Sequence, residues 1–144
     1  MEKLTHLFSP ITIGNVTIRN RIVQSAHITG FAENGLFSDR HMHYYEARAK
    51  GGIGLIITEA VVTSPASGMN SRIVSEGWHD EMIPRFKKVT DAIHTHGAKT
   101  FCQLAHGGSI GSSFFNWRHI ESSSAIPSPG MGEVPLPLDD KGIR

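Results

Sequence analysis

Three short apolar runs, Arg21–Ser25, Ile53–Ala60 and Lys99–Leu104, alternate with two helix-like segments, and each run ends in residues suited to a ligand-facing loop. This order constrains the fold most, because strands joined by crossover helices must lie parallel in one sheet. It is how a (β/α)8 barrel begins. A complete barrel needs eight strands and at least about 200 residues, whereas the chain ends at Arg144 after the third run. The expected fold class is α/β: the N-terminal portion of a (β/α)8 barrel, with a β-hairpin, about three parallel strands and two helices. Residues 1–144 would form one incomplete domain, truncated after strand three and its loop.

Composition narrows the function classes. Of the residues, 39% are apolar and 19% charged, the range of a globular chain. The net charge is +1, the sequence pI is about 8.0 and the basic residues are scattered, so no nucleic-acid footprint is present. A single cysteine, Cys102, excludes an internal disulfide. Met1–Pro10 has no charged-then-apolar leader, and no apolar run approaches the roughly 18 to 20 residues of a membrane span. The expectation is a cytoplasmic protein without a membrane or nucleic-acid partner.

Along the chain, Leu7–Ile13 and Val16–Ile18 flank Gly14-Asn15 and read as a hairpin. The first parallel strand, Arg21–Ser25, leads into a long glycine-containing loop. A helix capped by Ser38 then runs from Asp39 to Lys50, with Met42, Tyr45 and Ala49 on its inner face and Gly51-Gly52 as its stop. The second strand ends at Ala60, and a loop rich in Ser, Gly and Pro reaches Trp78. The second helix is expected from Asp80 to His96, with Ile83, Phe86, Val89, Thr90 and Ile93 inward, Pro84 in the first turn and Gly97 as the cap. After Ala98–Leu104, Ser122–Pro137 reads as a long loop, and Asp139-Asp140-Lys141 as the start of a third helix. Cys102, in mid-strand, reads as inert core packing, and Glu59 as a buried acid paired with an Arg or Lys.

Nine histidines raise the question of a metal. His41 and His43, and His94 and His96, are two apart on helices and so point about 200° from each other, whereas helix-borne ligand pairs sit at i and i+4. No metal site is expected. Gly107-Gly108-Ser109-Ile110-Gly111 lacks the Lys-Ser/Thr ending of a Walker loop and the spacing of a dinucleotide fingerprint.

Barrel ligands sit at the C-terminal strand ends, which directs attention to Ser25–Thr29, Glu59-Ala60 and Gln103–Ser109. There the residues become recognisable. Asn20-Arg21-Ile22-Val23 with Gln24–Ile28, then Gly52–Ala60, then Gly97-Ala98-Lys99 through Gln103-Leu104-Ala105-His106-Gly107-Gly108, and the loop Ile126–Met131, resemble the Old Yellow Enzyme family of FMN-dependent oxidoreductases in order and spacing. The resemblance implies FMN as cofactor, NAD(P)H as reductant of the full-length enzyme and a small-molecule substrate, and it admits a homo-oligomer. It implies that Ser25, Ala26, His27 and Ile28 lie along the flavin ring, mostly through backbone groups. It also implies that the Ala60 amide sits near the flavin C4 carbonyl and that the Gln103 carboxamide pairs with the pyrimidine edge. A carboxamide offers a donor beside an acceptor, the complement of a carbonyl next to an N–H. His27 is balanced between flavin contact and loop packing, and His106 reads as loop-ordering rather than catalytic.

Departures from the family pattern narrow the branch. Ile28 stands where many relatives have Thr or Cys, which excludes a covalent flavin link there. Ser109 replaces a common Arg, and Ala105 a Trp of the yeast enzymes, leaving a roomier pocket. Enoate reductase, dienoyl-CoA reductase and amine demethylase all remain open, and no catalytic residue is assigned within these 144 residues. The alternative is a non-catalytic fragment that does not bind FMN on its own.

Overall fold

The computed structural model describes residues 4–69 and 73–142. Strands β1 (Ile11–Ile13) and β2 (Val16–Ile18) form the antiparallel hairpin around Gly14-Asn15. Its first strand is shorter than Leu7–Ile13, because residues 5–8 form a turn in which the Phe8 N–H donates to the Leu4 carbonyl. Next come β3 (Val23–Gln24), α1 (Asp39–Lys50), β4 (Leu55–Val62), β5 (Ser75–Glu76), α2 (Met82–Thr95) and β6 (Lys99–Ala105). The succession of strand, helix, strand, helix and strand is as expected.

β4 is the centre of the parallel sheet. β6 pairs along one edge, from Leu55↔Lys99 to Val62↔Ala105, with a register shift between Ile57 and Ala60. The other edge is shared: β3 takes its lower end at Leu55 and Ile56, and β5 its upper end at Val61 and Val62. Flanked on both sides, β4 is buried along nearly its whole length. It runs two residues past Ala60, so that residue lies inside the strand and not at its tip. β3 is shorter than Arg21–Ser25, because the Asn20 side chain holds the approach: its Oδ1 accepts from the Ile22 N–H and its Nδ2 donates to the Gly52 carbonyl.

α1 has the bounds read from the sequence. Its inner face is Tyr45, Ala49 and the fully buried His41, with Met42 only half-buried. α2 starts two residues later than Asp80. Met82 goes inward with Val89 and Ile93, while Ile83 is 67% exposed. Gly97, at φ +73°, stops the helix, and its N–H donates to the His94 carbonyl. Phe37 stacks on Phe86 and closes the core that both helices make with Ile56 and Val61. The Arg19 guanidinium joins the two helix ends, donating to the carbonyls of Ala49, Ile53 and His96, where the helix dipoles favour a cation.

Side chains alternate along β6. Thr100, Cys102 and Leu104 face the α2 side, where they line an open apolar groove with Ile83 and Phe86. Cys102 is therefore exposed, against the expectation of core packing, since no described element beyond α2 covers that face. The long loop has its two ends pinned by parallel pairing of β7 (Glu121–Ser122) with β8 (Leu136–Pro137). At Asp139 the carboxylate accepts from the N–H groups of Lys141 and Gly142, the geometry of a helix N-cap. No helix forms within the described residues there, and Ile143 and Arg144 lie outside them.

Candidate functional site at the strand tips

The C-terminal ends of β3, β4 and β6 converge on one side of the sheet. After Gln24 the chain leaves the ladder, and Ser25–Ile28 continues as an extended strip before Thr29. No hydrogen bond joins the backbone of these four residues to any other described residue. Ser25, His27 and Ile28 are exposed and Ala26 is half-buried. The His27 side chain turns to α1, where its Nε2 meets the Tyr44 hydroxyl at 2.9 Å and the rings pack edge to face. What the strip offers a ligand is thus mainly peptide groups.

Ala60 and Gln103 are register partners on adjacent strands, so the structure brings together two residues that lie 43 positions apart in the chain. Gln103 is exposed. Apart from strand pairing, its one recorded hydrogen bond among the described residues is the backbone carbonyl accepting from Cys102 Sγ. Its carboxamide is left with a donor and an acceptor to offer.

Two loops rim the site and are tied together. The Thr63 N–H donates to the Ala105 carbonyl, the Gly107 N–H to Ser67 Oγ and the Ser112 N–H to the Gly68 carbonyl. A Cβ on Gly107 would collide with the Ser67 carbonyl, so only glycine permits this approach. His106 Nδ1 accepts from the Gly108 N–H and orders its own loop. A cavity of about 210 Å³ lies against the loop after β4, among Val62, Ser64, Pro65, Trp78, Asn116 and Arg118.

Beneath the strip lies a polar network for which the sequence provided one member. Glu59 is fully buried, and its partner is a histidine rather than an Arg or Lys. Oε1 accepts from His41 Nε2 and from Ser75 Oγ, each at 3.0 Å. Oε2 accepts from the Thr29 N–H at 2.8 Å and from Thr29 Oγ1 at 2.5 Å. The Glu59 N–H donates to the Tyr45 hydroxyl, whose ionisation burial pushes far up. Burial alone would raise the Glu59 carboxyl, but the hydrogen bonds from His41 and Thr29 outweigh it and hold the group below the usual carboxylate range. The Ser38 N–H donates to His41 Nδ1, so the imidazole carries its proton on Nε2, toward Glu59. His41 stands three residues after the N-cap Ser38, in the reach-back place of a capping box. That spacing was the sequence trace of its role.

Among the described residues no group of three or more His, Cys, Asp or Glu side chains could hold a metal ion, and no helix is long and apolar enough to cross a membrane.

The chain is 40% identical over 129 residues to the N,N-dimethylglycine/sarcosine dehydrogenase of Chromohalobacter salexigens, a match covering 85% of this chain and 18% of that protein. It is 41% identical over 143 residues to an NADPH dehydrogenase of Listeria monocytogenes serotype 4b, covering 98% of this chain and 41% of that one. The old yellow enzyme from Trypanosoma cruzi superposes with a TM-score of 0.84 at 26% identity, over 99% of this chain and 45% of that structure. The chain thus spans less than half the length of these relatives. With residues 6–130 matching the family as a whole, the chain belongs to the NADH:flavin oxidoreductase / NADH oxidase family.

Proposed function

We propose that this chain supplies the first three strand tips of an FMN site in a cytoplasmic NAD(P)H-dependent oxidoreductase acting on a small molecule. The observation that carries the reading is the placement, on either side of β4, of the peptide groups of Ser25–Ile28 and the carboxamide of Gln103 beside Ala60, both without partners among the described residues. That donor set fits a flat heterocycle with alternating carbonyl and N–H groups along one edge. When bound, FMN would supply two-electron transfer between a nicotinamide and the substrate, and the protein would supply orientation and electrostatics. Gln103 would hold the pyrimidine edge and stabilise negative charge there. The strip would support the ring, and Ile28 would add an apolar contact without a covalent link.

The test is an NMR titration of the 144-residue chain with FMN. The expected result is shifts confined to the amides of Ser25–Ile28, Ala60 and Gln103, with binding too weak to keep stoichiometric flavin through gel filtration. Gln103→Ala should weaken binding by roughly 5- to 150-fold, the equivalent of about 1 to 3 kcal/mol. Absence of shifts at millimolar FMN, or shifts elsewhere only, would favour the non-catalytic reading.

A further inference from the structure

We propose that Glu59 is a positioning residue for the Ser25–Ile28 strip and acts through Thr29. What the strip carries rests on the FMN reading above; how it is held does not. Since the strip's own backbone has no partner among the described residues, its course depends on its two ends and on the His27 side chain. At the near end Gln24 is paired with Ile56 of β4. At the far end Thr29 gives both its N–H and its hydroxyl to one oxygen of Glu59. Both anchors therefore sit on β4, and the strip covers more residues between them than β4 does. The strip runs along the edge of β4 that β3 has left and β5 has not yet taken.

The carboxylate suits an anchor because partners outside the strip hold it in place. It is fully buried, and its other oxygen is held by His41 of α1 and Ser75 of β5. A buried charge with four donors from three directions has one low-energy orientation, and every donor it loses costs the desolvation already paid. Thr29 alone among the donors adjoins the strip; His41 and Ser75 fix the acid itself. The His27–Tyr44 contact holds a side chain from the middle of the strip and does not engage its backbone.

The experiment compares wild type, Thr29→Val and Thr29→Ser, which respectively keep, remove and restore the hydroxyl without disturbing Glu59, His41 or Ser75. Backbone 15N order parameters of Ala26–Ile28 and hydrogen exchange of the Thr29 amide are measured in the full chain. The expected result is rigid values of about 0.85 in wild type and Thr29→Ser, and a fall toward about 0.6 in Thr29→Val. Thr29 amide exchange should quicken about tenfold in the Val variant, with β4 and β6 unchanged. Unchanged order parameters in Thr29→Val, or equal loosening of β4 and β6, overturn the proposal. FMN added to the same proteins separates the two readings: a wild type that shows no shifts defeats the flavin assignment, while the order parameters still decide the role of Glu59.

Discussion

At the residue scale, the informative side chains are those whose polar atoms are buried. Glu59 has its carboxyl held low in the folded chain, so its contribution to stability is fully present above the ordinary carboxylate pKa and is lost as pH falls through the folded value. Asp39, paired with Lys88, and Glu133, which accepts from the Ser113 N–H, are shifted in the same direction at the surface. Denaturant unfolding should therefore show a midpoint that is flat from neutral pH to about pH 5 and declines below it. The decline should be shallower in Glu59→Gln, and equal slopes in the two proteins would remove Glu59 from the acid response. Gln24 is the opposite case: both polar atoms of its carboxamide are buried without a partner among the described residues. An unsatisfied buried amide costs roughly 1 to 3 kcal/mol, so Gln24→Met, similar in volume, should raise stability by up to that amount. A lower unfolding midpoint in the variant would mean that the amide is engaged.

At the scale of elements, one exposed side chain organises both helix ends. Arg19 reaches the Ala49 carbonyl in the last turn of α1, the Ile53 carbonyl ahead of β4 and the C-cap carbonyl of α2 from the residue just after the hairpin. It fixes how the hairpin, the two helices and the start of β4 meet. Hydrogen bonds to a charged group contribute about 1.5 to 3 kcal/mol, and solvent exposure argues for the lower end. Arg19→Ala should lower the unfolding free energy by about that lower figure, and Arg19→Lys should recover only part of it, because an ammonium cannot span three carbonyls as a planar fork does. Full recovery by lysine in a chemical denaturation series would show that charge alone matters.

Over the whole molecule, apolar surface is distributed by strand position. The central strand β4 is covered, while β3 and β6 beside it are open: Val23 of β3 is 47% exposed and Leu104 of β6 is 69% exposed. Among the described residues each of these two strands pairs only with β4 in the sheet, and unpaired edges beside apolar faces invite association. The 144-residue polypeptide should self-associate, with sedimentation velocity giving species larger than a monomer that shrink in Leu104→Lys. A concentration-independent monomer with a sharp thermal transition would contradict this.

The elements carried by local periodicity were legible in the sequence: the hairpin turn at Gly14-Asn15, α1 to the residue, the apolar cores of β4 and β6, and the glycine stop of α2. The composition of the strand tips was legible too, because loop-forming residues follow each apolar run. Pairing and burial were not. Whether Ala60 ends its strand depended on β5 and β6 continuing beside it, and β5 itself is two residues with no pattern of their own. Cys102 alternates as any strand residue does, and only the arrangement of helices decided that its face is open. The choice of His41 as the partner of Glu59 joins positions 18 apart on different elements. A periodic pattern tells which way a side chain points along its own element, but the partner it meets is set by where the other elements pack.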